Sequence, residues 1–275
     1  MFSVNTNPGA LIALQNLNNT ATQLQQAQSE VSTGLAVAQP SDNGAVWAIA
    51  QGERAQTSAL DAVKGSLQNG QSIIDVANSA GQTVSDLLTQ MQEKALAASD
   101  TSIDANSRAA LNNDFQALVK QIGTAVNNAD FNGVNLLNAT VTNITSLANA
   151  AGTSLITTQA QDFSLGGANL SGITLASTIN TVASATAMIS TVSTALTAVD
   201  NSLATLGTSS KSLGDQLTFV SNLQDTLTTG VGNLVNANLA KESATLTALQ
   251  TKQQLGIQAL SIANQSSSVL LSLFR

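Results

Sequence analysis

The chain has 275 residues and a formal net charge of −7, with 9% charged and 3% aromatic residues and no histidine, cysteine or tyrosine. This composition excludes histidine-based catalytic triads, thiol nucleophiles and cysteine–histidine zinc sites. The nine Lys and Arg residues are scattered, which argues against a nucleic-acid surface, because such a surface needs clustered positive charge. Because aromatic residues are only 3% of the chain, any core must be aliphatic.

The first segment has apolar residues at the alternating 3-4 spacing of a coiled coil. The positions of this seam are Ala10, Leu14, Leu17, Ala21, Leu24, Gln28, Val31 and Leu35. Gln28 alone is polar, so the pattern predicts an amphipathic helix.

Residues 1–6 lack the basic and long apolar stretches of a secretory signal, and we expect any export to use a route that reads another signal.

Two further seams follow. The second consists of Leu60, Val63, Leu67, Gly70, Ile74, Ala77, Gly81, Val84, Leu88, Met91, Ala95 and Ala98. It has no polar member, although each of its two glycines costs about 1 kcal/mol relative to Ala in a helix. The third consists of Leu111, Phe115, Leu118, Ile122, Ala125 and Ala129. Asp104 and Ser107 are the N-cap candidates for this third helix.

The helical pattern stops between residues 138 and 180. This stretch is rich in Thr, Ser, Asn and Gly, and it contains short β-like runs at 141–145, 154–158 and 172–175. Turn signals at Gly166-Gly167 and at 169–172 separate the last of these runs from the others. We predict a small β-hairpin element here, at the far end of a helical rod from which the chain returns.

A long seam then runs without a slip from Val182 to Leu234, which as one helix would extend roughly 80 Å. Gly230 and Gly232 precede a shift of phase and indicate a joint. The last segment has a broad apolar stripe, with no charge between Lys252 and Arg275. These patterns predict a mainly α fold: a long antiparallel helical rod or coiled coil, with discontinuous N- and C-terminal helices and a small β-hairpin in the middle.

The same patterns predict the domain organisation. Residues 1–40 and 235–275 would form a discontinuous terminal coiled-coil domain, and residues 41–234 a helical rod domain with 138–180 at its outer part. The terminal seams carry few charges, since none precedes Glu30. They would serve either an intramolecular helical hairpin or an intermolecular core, which an uncharged helix enters without the cost of burying ions.

Several stretches resemble bacterial flagellin, and the likeness extends over essentially the whole chain. The matching stretches are VSTGL at 31–35, SDNGA at 41–45, DFNGVNLL at 130–137, NLVNANLAKES at 233–243, QTKQQLGIQALSIANQ at 250–265 and LSLFR at 271–275. The C-terminal stretches are the most specific, because many positions match in one register. The chain is most similar to the short flagellins of α-proteobacteria, of the Caulobacter type.

This resemblance implies a structural subunit without enzymatic activity and without a cofactor. The protein would be exported by the flagellar type III apparatus and would polymerise outside the cell into the swimming filament, a helical homopolymer of about eleven protofilaments. It would fold its terminal helices on assembly and line the central channel with them. The implied partners are further copies of the chain, the flagellar cap, the hook-junction proteins and an export chaperone; nucleic acid, membranes and metals are not among them.

The likeness and the seams together give two sets of candidate residues. The predicted filament-core interface comprises Leu11, Leu14, Leu17, Leu24, Val31, Leu246, Leu249, Leu255, Leu260, Ile262, Val269, Leu270, Leu273 and Phe274. Similar flagellins carry O-linked sugars, and exposed hydroxyls of the middle segment are candidates for them: Thr140, Thr142, Thr145, Ser146, Thr153, Ser154, Thr157, Thr158, Ser164, Ser171, Thr174, Ser177 and Thr178. A plain solvated β-hairpin is the alternative interpretation of that segment.

The sequence fits three other functions less well. A membrane-surface amphipathic protein would carry more Lys and Arg on its polar face, an enzyme of carboxylate type would need a pair of acids on one loop, and a hook–filament junction protein would have a larger central domain.

The stretch 88–97 departs from the flagellins that Toll-like receptor 5 detects, since Gln90, Gln92 and Lys94 replace two arginines and a leucine. We expect weak receptor detection.

Overall fold

The computed structural model describes residues 6–272, and only the backbone for 266–272. The elements are α1 (Pro8–Thr33), α2 (Gly44–Ala98), α3 (Ala105–Asn127), β1 (Asn143–Leu147), β2 (Leu155–Gln159), α4 (Val182–Val235) and α5 (Leu239–Ser272). The predicted mainly α fold, with a β-hairpin in the middle of the chain, is confirmed. The chain divides into two compact units, 1–57 with 225–275 and 58–224, so the division falls within α2 and α4. The predicted domain boundaries at residues 40 and 235 stay predictions.

The unit 58–224 is built around a continuous apolar core. All twelve seam positions predicted between residues 60 and 98 are buried. Helix α3 adds the fully buried side chains of Phe115 and Ile122. Helix α4 buries an apolar side chain at every seventh position, and Ala195 in addition; the seventh positions are Ala185, Val192, Val199, Leu206, Leu213 and Val220. The 3-4 pattern therefore predicted this core well, because each seam finds its partner within the unit.

The two seam glycines of α2 have a packing role that their helix propensity does not suggest. A Cβ at Gly70 would collide with the Ser146 hydroxyl of β1. A Cβ at Gly81 would lie 2.6 Å from Leu203 Cδ2 and 3.1 Å from Phe163 Cε2. The missing side chains leave space for Ser146 of the hairpin at Gly70, and for Leu203 and Phe163 at Gly81. This close packing offsets the helix-propensity cost of about 1 kcal/mol at each glycine.

The hairpin is antiparallel, and Thr145 of β1 lies opposite Thr157 of β2. Two helices hold it, because Leu147 N donates to Ser66 Oγ (3.0 Å) and Gln216 Nε2 donates to Ala148 O (2.8 Å). The predicted strand at 141–145 starts two residues later, at 143, and the predicted run at 172–175 is not a strand. That run instead folds into turns, with Gly172 at φ +84° and Ile173 N donating to Leu170 O.

Helix α4 is one continuous helix of 54 residues, or roughly 80 Å. The predicted joint at Gly230 and Gly232 is wrong in position, since both glycines lie within α4 and the helix ends at Val235. By length and composition alone α4 could cross a membrane. Its apolar seam, however, forms part of the core of the unit 58–224, and that packing accounts for its apolar composition.

Helix α3 begins where one of the two candidate caps predicts. Asp104 is the N-cap, and its Oδ1 accepts from Asn106 N (2.7 Å) and Ser107 N (2.9 Å). The backbone and side-chain hydrogen bonds from Ser107, together with that from Asn106 N, lower the pKa of Asp104 below its ordinary value. Arg108 completes this turn by donating from Nε to Ala98 O (2.8 Å), at the end of α2.

Candidate interaction surface

Helix α1 has a clear start and stop. Asn7 is the N-cap, Pro8 occupies the first helical position, and Gly34 at φ +73° is the C-cap whose N–H donates to Glu30 O. Proline suits the first turn because its missing N–H has no helical partner there, and glycine adopts the left-handed conformation without a steric penalty. The first segment is thus a discrete helix of 26 residues.

Helices α1 and α5 pack against each other in antiparallel fashion. Three contacts set the alignment: Asn7 Nδ2 donates to Ala263 O (2.7 Å), Leu17 lies on Gly256, and Leu35 forms a β-bridge with Asn236. A Cβ on Gly256 would lie 3.3 Å from Leu17 Cδ1, so the leucine occupies the space that the glycine leaves open. Helices α1 and α5 therefore form an intramolecular helical hairpin, which is one of the two alternatives predicted for the terminal segments.

The side of α1 that faces this pairing differs from the predicted one. Thr20 and Ala27 are buried, whereas Leu14, Ala21 and Gln28 of the predicted seam are exposed. Small residues permit close approach of the two helices, and the Thr20 hydroxyl is satisfied by donating to Asn16 O (2.8 Å). The strict 3-4 spacing through Leu17, Leu24 and Val31 points to Ala21 and Gln28, so the predicted face is rotated by about one residue from the buried Thr20 and Ala27.

Helix α5 buries only part of its apolar stripe. Leu249 is buried, Leu246 and Leu260 are half-buried, and Leu255 and Ile262 are 59% and 69% exposed. On α1, Leu17, Leu24 and Val31 are half-buried and Leu11 is exposed. Of the other predicted interface residues, Leu273 and Phe274 lie outside the described residues, as do the side chains of Val269 and Leu270. The pairing therefore leaves several large aliphatic side chains in water.

Some of the uncovered residues line a groove of about 580 Å³ along one flank of the pair. Its walls are Gly9, Ile12, Ala13, Asn16, Leu17 and Thr20 of α1, with Lys252, Leu255, Gly256, Ala259 and Ala263 of α5. Ile12 is 59% exposed. Lys252 is the one charged residue among these walls, so an uncharged occupant would meet little unpaired charge there.

A second apolar surface lies on the other flank. In a helix each residue turns by about 100°, so Leu14 lies about 200° from Ile12, and Ile257 about 200° from Leu255. Leu14 and Ile257 are both exposed, and Ile257 borders a shallow depression with Leu260. The α1–α5 pair thus has two different apolar flanks, which we name the groove flank (Ile12, Leu255, Ala259) and the opposite flank (Leu14, Ile257).

A backbone clasp closes the end of the pair away from Asn7. Ala36 N donates to Val235 O (2.7 Å) and Ala237 N donates to Gly34 O (2.9 Å). Asn238 then caps α5 by accepting from Lys241 N (3.2 Å). Neither this clasp nor the Asn7 contact is predicted by the apolar seams. The only signals for them were a helix-stop glycine at Gly34 and an Asn-Ala-Asn run at 236–238.

The candidate glycan hydroxyls are not all accessible. Ser146, Thr158 and Ser177 are buried, so the expectation that they are exposed is wrong. The first two point inward from the strands, and the Ser177 hydroxyl donates to Gly172 O (3.3 Å). Ser164 and Thr178 are half-buried. The exposed candidates are Thr140, Thr142, Thr145, Thr153, Ser154, Thr157, Ser171 and Thr174.

The charged residues build structure rather than a reactive centre. Asp162 accepts from Ser164 N (3.0 Å) and Ala168 N (3.1 Å). Burial raises its pKa, but these bonds and the one from the Ser164 hydroxyl outweigh burial and hold the pKa below its ordinary value. Lys94 and Asp114 form an exposed ion pair (2.7 Å). Within residues 6–272 no group of three acidic residues is placed to hold a metal ion.

Known proteins match both ends of this chain. Residues 4–142 match the bacterial flagellin N-terminal helical region, and residues 189–274 match the bacterial flagellin C-terminal helical region. Flagellin FljM of Caulobacter vibrioides is 56% identical over 99% of this chain and 98% of its own length. A flagellin of Brucella melitensis is 36% identical over the full length of both chains. A crystal structure of Bacillus cereus flagellin is 23% identical and has a TM-score of 0.49, covering 55% of this chain and 86% of that one.

The two family matches agree with the architecture above, in which helices at both ends of the sequence frame a short middle segment. Flagellins are structural proteins of the flagellar filament, so the carboxylate-enzyme alternative is excluded. The chain belongs to the bacterial flagellin family.

Proposed function

We propose that this filament subunit polymerises through the two flanks of its α1–α5 pair. The observation that carries the proposal is the exposure of large aliphatic side chains on both flanks of a pair that buries so few residues. Removing such surface from water contributes about 25 cal/mol per Å². A second copy is the occupant that can cover these side chains at every position along a homopolymer.

The two flanks differ in shape, and this difference suits an open polymer. Repeated contacts between two unlike patches generate a helical filament, whereas a contact between two like patches closes into a dimer. The groove flank is a concave groove of about 580 Å³, whereas the opposite flank has the exposed side chains of Leu14 and Ile257 beside a shallower depression. We infer that the opposite flank of one copy enters the groove of the next.

Assembly is coupled to folding of the terminal helices in this account. Thr20 and Ala27 are the buried residues of α1, so the helix derives little stability from its own chain. A helix gains most of its stability from tertiary packing of its apolar face. Contacts with neighbouring copies would therefore complete the folding of α1 and α5, which is the behaviour of segments that order on binding.

We extend the proposal to the number of protofilaments, the location, the export route and the partners of the filament, on the basis of the family resemblance. The filament would contain about eleven protofilaments and lie outside the cell, with export through the flagellar type III apparatus. Cap and hook-junction proteins would contact the ends of the filament, and a chaperone would hold the subunit before export. We also propose the terminal helices, residues 1–40 and 235–275, as the core domain, and the exposed hydroxyls of the hairpin region as the sites that could take O-linked sugars.

Charge placed on each flank tests the proposal. Leu255→Lys blocks the groove flank and Leu14→Lys the opposite flank, while Gln15→Lys puts the same charge on an exposed position of α1 between the flanks. Seeded elongation, followed by light scattering, is expected to stop for the first two variants and to continue for the third. Wild-type elongation by either flank variant would contradict the proposal.

Mixing the two blocked variants tests whether the contact joins unlike flanks. Each variant keeps one intact flank, so neither should associate alone, and an equimolar mixture should form one-to-one pairs. Light scattering coupled to size-exclusion chromatography measures the mass of these species. Dimers formed by Leu14→Lys or Leu255→Lys alone would show a contact between like flanks instead.

A further inference from the structure

Two hydrogen bonds of the Asn7 side chain have different consequences. Its Oδ1 accepts from Ala10 N (3.1 Å) and so caps α1, and its Nδ2 donates to Ala263 O (2.7 Å) on the other helix. An ordinary N-cap needs only the acceptor. The amide nitrogen therefore does something that a Ser, Thr or Asp cap could not do: it joins the start of α1 to the backbone of α5.

The bond to Ala263 and the clasp lie at opposite ends of the pair. From Asn7 to Gly34 the chain advances 27 residues, and from Ala237 to Ala263 it advances 26. At 1.5 Å per residue both helical stretches are roughly 40 Å long. The two ties therefore enclose equal lengths of helix, and they are compatible with one alignment of α1 on α5.

Between the ties Leu17 packs on Gly256, but a shift of seven residues would place Leu24 there instead, so this packing distinguishes the two alignments only weakly. On α1 the small residues Ala13, Thr20 and Ala27 recur every seven positions and face the pairing. A shift of α1 by seven residues would replace one small side chain by another. Repeats of this kind need a separate polar contact to select one register, as coiled coils use buried polar residues to do.

We propose that Asn7 is a positioning residue that fixes the register of α1 on α5 together with the clasp at the other end of the pair. In this register Ile12 of α1 and Leu255 and Ala259 of α5 line the same groove. A slipped register would move Ile12 by about two helical turns and break up the groove flank. The consequence for filament growth rests on the proposed function, whereas the register itself is a property of the single chain.

Two substitutions separate the bond to Ala263 from the cap. Asn7→Ser keeps an N-cap acceptor, since Ser caps about as well as Asn, but its hydroxyl is too short to reach the Ala263 carbonyl. Asn7→Ala loses both bonds. Asn19→Ser removes an exposed amide from the same helix and serves as the matched control. Circular dichroism should show the helix content of wild type for Asn7→Ser and a lower content for Asn7→Ala.

Cysteine pairs report the register directly, because the chain contains no cysteine. Leu17→Cys with Gly256→Cys joins the native alignment, and Leu17→Cys with Ala263→Cys joins an alignment slipped by seven residues. Loss of one hydrogen bond should raise the ratio of slipped to native disulfide about fivefold in Asn7→Ser. The control should leave this ratio unchanged. The concentration needed for seeded growth should rise in Asn7→Ser and Asn7→Ala in proportion to the loss of native register, and so by at most a similar factor.

The outcomes distinguish the two proposals. A disulfide ratio that changes in Asn7→Ala but stays at the wild-type value in Asn7→Ser would mean that Asn7 is only a cap, and would overturn the inference. A changed ratio with reduced growth supports it. A changed ratio with unaltered growth would leave Asn7 as the register residue and would instead contradict the groove as the assembly surface.

Discussion

The unit 58–224 and the α1–α5 pair share a 3-4 apolar pattern but bury it to different extents. In the larger unit, side chains such as Leu88 and Phe115 are fully buried. In the pair, Leu14 and Leu255 remain exposed beside small residues that make the contact. The difference teaches that periodicity predicts which face of a helix is apolar, but not whether its partner lies in the same chain.

The largest stability effect should come from the core of the larger unit. Phe163 is fully buried and packs beside Gly81. Phe163→Ala should lower the free energy of unfolding by about 3–5 kcal/mol, since it leaves a cavity that the surroundings fill only in part. Urea unfolding followed by circular dichroism measures this change. A loss below about 1 kcal/mol would mean that the core is less tightly packed than the structure indicates.

Two glycine substitutions in α2 should have opposite signs. Gly81→Ala places a methyl group against Leu203 and Phe163 and should destabilise the protein by about 1–3 kcal/mol. Gly65→Ala meets nothing within 4 Å and should stabilise it by about 0.5–1 kcal/mol, because Ala loses less backbone entropy in a helix. Unfolding in urea compares both with wild type. Stabilisation by both substitutions would show that helix propensity, and not packing, decides the choice of residue at position 81.

Removing the Asp162 carboxylate should cost less. Asp162→Ala leaves Ser164 N and Ala168 N without their acceptor and should destabilise the unit by about 1–2 kcal/mol at neutral pH. The folded pKa lies below the unfolded value of 3.8. The contribution of the carboxylate is therefore present above pH 3.8 and is lost as the pH falls through the folded pKa.

The check is a pair of stability curves between pH 7 and pH 2. The difference in free energy of unfolding between wild type and Asp162→Ala should become smaller as the pH falls below 3.8. A constant gap across this range would show that the charge of the carboxylate does not contribute.

The smallest stability effect should come from the terminal pair. Leu14 is 43% exposed, so Leu14→Ala should change the free energy of unfolding of the monomer by less than about 0.5 kcal/mol. The same substitution should slow filament elongation severalfold, because it removes apolar area from the opposite flank. Leu88→Ala is the matched control in the core, where about 2–5 kcal/mol of stability should be lost. A comparable loss in Leu14→Ala would place that side chain inside the monomer core.

The sequence predicted the larger unit closely because its local signals and its packing agree. Every seam residue of α2 between 60 and 98 is buried, and Asp104 caps α3 as its position before the helix predicts. The two β-strands appear near their predicted runs. The run at 172–175 is not a strand, since positive φ at Gly172 directs the chain into turns.

The terminal pair was predicted less well, for physical reasons. The buried face of α1 contains Thr20 and Ala27, whereas the 3-4 spacing of its larger apolar residues points to the neighbouring Ala21 and Gln28. The joint follows backbone pairing between Gly34–Val37 and Val235–Ala237, which no side-chain pattern encodes. The contact of the Asn7 amide with Ala263 O has no local sequence signal, because its acceptor lies 256 positions away.

Hydrogen exchange in monomer and filament, measured peptide by peptide, tests the central claim most directly. Amides of α1 and α5 should exchange quickly in the monomer and gain a hundredfold or more in protection on polymerisation, which corresponds to about 3 kcal/mol. Core amides between residues 58 and 224 should be protected in both states. Equal protection of α1 and α5 in monomer and filament, or a gain confined to residues 58–224, would contradict assembly through the terminal pair.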